Sequence, residues 1–205
     1  MTRIDEISLL INDNDIVADI GCDQALLGIK LAKRGIKSYG SDISNKVIEK
    51  AKEKINSLKL SDYISLYVSD GVENINSDVN TLVLAGMGAY TICDVISKSN
   101  RKYQKIITVS NTDYDYLRNN MNNMGYSIKL EKVVYDKGKY YIIIVFEPGN
   151  IKYNSKELMI GVNVIKDEIY FKYKEYLIDK LYKIKDKSNN SNDKVNEFIK
   201  YLESE

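Results

Sequence analysis

The sequence predicts an α/β protein whose mostly parallel sheet ends in an antiparallel hairpin and is followed by a pair of helices. Three observations predict it. Short apolar runs alternate with amphipathic stretches from residue 3 to about residue 147. The alternation breaks at two strand-like runs joined by Asp136-Lys137-Gly138, a hairpin turn signal. Beyond Pro148-Gly149 the apolar spacing becomes purely helical.

The elements follow in order. Ile4, Ile7, Leu10 and Ile11 have helical spacing, and residues 12–15 form a turn. Residues 16–20 are a short apolar run stopping at Gly21, the pattern of a buried strand. Leu26, Leu27, Ile29, Leu31 and Ala32 predict a helix stopped near Gly35. A second strand runs from Ser38 to Asp42, and residues 47–58 form a helix with Val47, Ile48, Ala51 and Ile55 on one face. Strands at 64–68 and 81–84 come next, the latter followed by Ala85-Gly86-Met87-Gly88. Ile92, Val95 and Ile96 mark a helix, 105–109 a fifth strand and 113–123 a further helix. The runs 126–135 and 140–146 close the sheet as a hairpin. That finish favours a Rossmann-like, class I methyltransferase type of sheet over a dinucleotide dehydrogenase. From Ile165 to Ile184 apolar residues recur at helical spacing; 188–192 is a polar break, and Val195, Phe198, Ile199 and Leu202 start a second stripe. Two such helices predict an antiparallel, coiled-coil-like pair. The expected division is residues 1–148 as one domain and 149–205 as a helical domain.

Composition excludes several chemistries. The chain has 205 residues and a net charge of +1, so any pull toward nucleic acid must be local. It contains no histidine, which removes Ser-His-Asp and Cys-His nucleophiles and His-ligated metal. Its two cysteines are too few for a disulfide framework. No apolar run is long enough to span a membrane, and residues 1–12 lack the apolar stretch of a signal peptide. A cytoplasmic monomer without metal or membrane contact is expected.

The chemistry concentrates at strand ends. Val17-Ala18-Asp19-Ile20-Gly21-Cys22-Asp23 is a strand ending in an acid and a glycine, which lets the backbone turn beside a ligand. Asp42 ends the next strand, where a carboxylate accepts both ribose hydroxyls, and Asp70-Gly71 ends the third, placed to accept from an adenine amino group. Each acid alone is a common turn or cap residue; three at successive strand ends converge on one crevice. Asp23 stands where a dinucleotide site has glycine, and its carboxylate suits the cationic end of S-adenosylmethionine better than a pyrophosphate. Ile20, Leu26, Ile43, Ser69 and Ala85 complete the expected cofactor contacts. Asn111, after strand five, has an amide able to hold a base edge. Together with Asp23, Gly86 and Met87 it forms the expected catalytic set. The basic residues between 30 and 59 make a candidate phosphate face, of which Lys30, Lys33 and Arg34, with Arg3, are the expected RNA contacts.

Asp19-Ile20-Gly21-Cys22-Asp23-Gln24-Ala25-Leu26, Asp70-Gly71 and Ala85-Gly86-Met87-Gly88 resemble the TrmK family of bacterial tRNA methyltransferases. Arg3, the hairpin Asp136-Lys137-Gly138-Lys139-Tyr140-Tyr141 and the trailing helical pair match its pattern too. The resemblance implies methylation of N1 of adenine 22 in tRNA, with S-adenosylmethionine as donor and tRNA as partner. The chain departs from the family at Gln24 (usually His), Asp42 (usually Glu), Val109-Ser110-Asn111 (a Gln-Pro-Asn-like segment) and Ala89 (a second glycine). Two other readings compete: a small-molecule methyltransferase, and a cofactor-binding RNA-interaction module without catalysis.

Overall fold

Seven strands form one sheet in the order β3-β2-β1-β4-β5-β7-β6, seen in a computed structural model that describes residues 1–72, 75–187 and 193–204. β1 (Val17–Ile20), β2 (Ser38–Asp42), β3 (Ile64–Val68), β4 (Thr81–Met87) and β5 (Lys105–Ser110) are parallel neighbours. β7 (Lys139–Pro148) pairs antiparallel with both β5 and β6 (Tyr126–Asp136). The hairpin closes through Lys137 and Gly138 at φ 49° and 81°, two left-handed residues whose twist matches that of the strands.

Alternation along the strands divides the core. Leu82, Leu84 and Ile106 face one layer, while Val17, Val83, Ile107 and Val109 face the other. The first layer takes α4 (Ala89–Ser97) and α5 (Tyr114–Asn123), through Ile92, Ile96, Leu117 and Met121. The second takes α1 (Arg3–Leu9) and α2 (Leu26–Ala32), through Ile7, Leu27 and Leu31. α3 (Asn45–Ser57) buries Ile48, Ala51 and Ile55, as its spacing predicts. Helices on both faces are what permit strands this apolar.

Two features differ from the sequence reading. β4 does not end at Leu84 but continues to Met87, with a register shift against β5 between Ala85 and Met87. Gly86 at φ +88° makes this bulge, in a conformation open to glycine and costly for other residues. A short helix, α6 (Ser155–Ile160), also precedes the long ones; its sequence signal is the capping box of Asn154 and Glu157.

α7 (Glu168–Lys187) and α8 (Asp193–Glu203) pack together around Leu181, Ile199 and Leu202. The expected polar break at 188–192 lies outside the described residues. This helical segment is riveted to the sheet by a buried ion pair. Glu131 of β6 accepts from Arg118 Nε at 2.9 Å and Nη2 at 2.7 Å, both side chains being about 1% exposed or less. Arg118 Nη1 also donates to the Leu158 carbonyl at 2.8 Å, and Val162 N donates to Glu131 at 2.9 Å. Tyr170 and Tyr173 extend the same contact into the main core. Among the described residues no helix is long and apolar enough to cross a membrane.

Replacing Glu131 by Leu leaves the Arg118 guanidinium buried without its partner. The expected cost is about 3–5 kcal/mol of unfolding free energy in urea denaturation. A loss under about 1 kcal/mol would show that the pair is not what anchors the helices.

Candidate functional site

Strand order reverses between β1 and β4: the chain leaves β1 toward β2 and β3, then returns through β4 toward β5. Their carboxyl ends therefore diverge, and in open α/β sheets ligands bind in the crevice this leaves. A cleft of about 310 Å³ lies there. It is lined by Asp19, Gly21, Cys22 and Asp23 from the end of β1, and by Val83, Ala85 and Gly86 from β4. Arg3, Gln24 and Leu26 complete its rim.

The loop after β1 is shaped by close packing. Gly21 sits at φ +74°, and a Cβ on it would lie 2.5 Å from Met87 Cε. Asp23 at φ 48° and Ala25 at φ 53° are also left-handed, without glycine's freedom. Backbone bonds fix the path: Gly21 N and Cys22 N both donate to the Ser41 carbonyl, at 2.8 and 2.9 Å. Strain held at a ligand cleft in this way is typical of functional loops.

The electrostatics of the cleft follow from burial first and from neighbouring acids second. Burial pushes the Asp19 carboxyl up to about 7. The Cys22 thiol is pushed up to about 12, by burial first and then by the charges of Asp19, Asp42 and Asp23. Among the described residues that line the cleft, Arg3 is the cation. Its guanidinium lies 4.5 Å over the Tyr141 ring, and its Nε is buried without a hydrogen-bond partner.

The other predicted residues flank this cleft. Asp42, ending β2, accepts from Ser44 N at 2.9 Å, and its carbonyl accepts from Ser69 N at 3.1 Å. This joins the second and third strand ends, leaving Asp70 exposed and Ile43 72% exposed beside them. Gly71 turns the chain at φ +87°. Ile20 is buried in the core beneath the loop, a supporting position. The Ser69 hydroxyl is buried without a partner, as is that of Ser41. Asn111 donates from Nδ2 to the Gly86 carbonyl at 2.8 Å, and its backbone N donates to the Met87 carbonyl at 2.9 Å. The end of β5 is thereby tied to the β4 bulge.

The expected RNA-binding cations differ in what they bond to. Arg3 lies in the cleft. Lys30 pairs with Asp5 of α1, whose carboxyl it holds well below the usual range. Arg34 is consumed as a clamp on the end of α1, donating to the Ser8 carbonyl, to the Ile11 carbonyl at 2.8 Å and to Asp13 at 2.9 Å. Lys33 is exposed. Sequence reasoning missed the place of Arg3 because nothing local shows that α1 packs over the β1–β4 gap. Gln24, which the sequence marks only as a departure from the family's His, lies on the cleft rim, and its Oε1 accepts from Lys54 at 3.5 Å. Among the described residues no group of His, Cys, Asp or Glu is placed to hold a metal.

Comparison with known proteins places the chain. A family model described as a methyltransferase domain matches residues 1–144. A protein of Mycoplasma genitalium, provisionally named a tRNA methyltransferase, is 28% identical over 151 residues, spanning 71% of this chain and 68% of that one. The structure of M. capricolum TrmK in complex with S-adenosylhomocysteine matches with a TM-score of 0.85 at 27% identity, over 100% of this chain and 96% of that one. The B. subtilis m1A22 tRNA methyltransferase TrmK matches with a TM-score of 0.78 at 20% identity, over 98% and 93%.

The raised Asp19 carboxyl has a consequence for stability. Between its ordinary value of 3.8 and about 7 the unfolded chain ionises at this group while the folded chain keeps the proton. Its contribution to stability is therefore present at low pH and lost as pH rises through that window. Urea denaturation at about pH 5 and about pH 8 should show wild type losing more stability than Asp19→Asn. Parallel profiles for the two proteins would contradict the assignment.

Proposed function

The chain belongs to the methyltransferase-domain family, whose model covers residues 1–144, and on that premise we propose that it methylates N1 of adenine 22 in tRNA. The donor in this reading is S-adenosylmethionine. The observation that carries it is the match of the whole chain, helical segment included, to M. capricolum TrmK with its bound S-adenosylhomocysteine. A small-molecule enzyme would have no use for that segment, and a module without catalysis no use for the intact strand-end acids.

The residues present fit the donor. Asp42 is half-buried with one oxygen already taken by Ser44 N, so its carboxylate is oriented to accept from a ribose diol. The 72% exposed Ile43 offers an apolar face to an adenine, and Ser69 with Asp70 an acceptor edge. Asp19 and Asp23 suit the cationic amino group, and the unpartnered Arg3 Nε suits the carboxylate. Bound there, S-adenosylmethionine supplies an electrophilic methyl group.

The protein's own work is positioning and desolvation. Adenine N1 carries an in-plane lone pair and needs no base, consistent with a chain that has no histidine. Because Asn111 Nδ2 is committed to the Gly86 carbonyl, its Oδ1 is the atom left to accept from the adenine amino group. Gly86 and Met87 bound the space where base and methyl meet. The negative charge of Asp19 and Asp23 favours the cationic product base. The target must leave its stack, at a cost of a few kcal/mol.

In this proposal residues 1–148 perform catalysis and 149–205 help grip the tRNA, in a cytoplasmic monomer. Lys50 and Lys54 of α3, beside Asp23 and Gln24, replace Arg34 as candidate phosphate contacts at the cleft mouth.

Incubation with methyl-labelled S-adenosylmethionine should label unmodified tRNA and leave the same tRNA with adenine 22 changed to guanine unlabelled. Asp42→Ala should weaken S-adenosylmethionine binding by about tenfold or more, the loss of charge-assisted bonds to the ribose. Equal labelling of both tRNAs would move the target base; no labelling of either, with the donor bound, would overturn the tRNA reading.

A further inference from the structure

The edge of the sheet that carries the cofactor cleft also presents an aromatic pair for which donor binding has no use. Tyr90 lies in the first turn of α4, directly after the Ala85–Gly88 segment, and is 60% exposed. Tyr116 lies in the first turn of α5, five residues after Asn111. The two rings stand 4.1 Å apart between centroids at an interplanar angle of 34°. Tyr116 thus backs Tyr90 and fixes its plane, while most of the Tyr90 ring stays open. The pair walls an open groove of about 410 Å³ that runs between α5, α6 and the start of α8, past Asp113, Asp115, Leu158 and Lys194.

We propose that Tyr90, backed by Tyr116, is the stacking face for a nucleobase of the RNA substrate and so a positioning residue for methyl transfer; this rests on the tRNA reading above. The charges of the groove select a base over a phosphate. The Lys194 ammonium is bonded to Asp115 at 2.8 Å, which leaves Asp113 as the unbalanced charge. Such a groove repels a phosphate and welcomes a neutral ring whose amino edge donates. A base also stacks on an aromatic face irrespective of its identity, which suits a nucleotide next to a target that is itself read elsewhere. The location fits this role, since α4 and α5 begin at the two strand ends that Asn111 ties together through the Gly86 carbonyl.

Tyr90 is not a core residue of its helix. Ile92, Cys93, Val95 and Ile96 are, so truncating the ring leaves the packing of α4 in place. The test measures tRNA methylation by wild type, Tyr90→Ala and Tyr90→Phe, with S-adenosylmethionine affinity determined on each protein. The Ala variant should lose roughly 5- to 100-fold in kcat/KM for tRNA while binding the donor as wild type does, and Phe should restore activity to within about twofold. An Ala variant as active as wild type overturns the stacking role alone. A Phe variant as impaired as Ala also overturns it, because the hydroxyl and not the ring face would then matter. A wild-type protein that methylates no tRNA removes the substrate reading and this inference with it.

Discussion

The reversal of strand order between β1 and β4 is the constraint on which the rest of the site depends. Because the chain departs in opposite directions from these neighbours, no connection covers their carboxyl ends. Gly21 turns the chain there at φ +74°, a conformation open to glycine and costly for other residues, with the Met87 methyl group close against it. The Asp19 carboxyl, ending β1, sinks into the gap and is pushed up to about 7. Asn111, one strand further along, is held to the carbonyl of Gly86, which lines the same crevice. Each of these is a consequence of topology before it is a feature of chemistry.

The chemistry the crevice supports is that of a charged receptor. Three carboxylates, Asp19, Asp23 and Asp42, surround the buried Cys22, and Arg3 is an opposing cation on the wall. A dinucleotide pyrophosphate would meet the wrong sign there, whereas a sulfonium with an amino-acid tail meets the right one at both ends. The absence of histidine is then no handicap, because a ring nitrogen with a free lone pair asks only for alignment and dry surroundings. The helical segment is held in register with this crevice by Arg118 and Glu131, which makes α5 common to the sheet core, the Tyr90–Tyr116 wall and the C-terminal helices.

Much of this was legible in the sequence because it depends on local periodicity. Strands buried on both faces read as apolar runs, the hairpin announced itself through Lys137-Gly138, and the acids lay where strand ends were expected. What was hidden depends on distant packing. Nothing near Arg3 shows that α1 covers the β1–β4 gap, and nothing near Arg34 shows that it will be spent on the Ser8 and Ile11 carbonyls. β4 was cut short at Leu84 because Ala85-Gly86-Met87 carries no strand propensity; pairing with β5 across a bulge extends it. α6 escaped because its six residues are too few for periodicity to show, although the Asn154–Glu157 capping box marks its start.

The central claim, that the cleft at the switch point receives a cationic donor against Asp19, is tested most directly by counting protons. Calorimetric titration of S-adenosylmethionine at about pH 6, in two buffers of different ionisation enthalpy, reads the protons exchanged on binding. Asp19 is held up to about 7 in the free protein. A cation arriving beside it drives its ionisation, so release of close to one proton per site is predicted, abolished in Asp19→Asn. Binding with no buffer dependence in wild type, or the same dependence in both proteins, would contradict it.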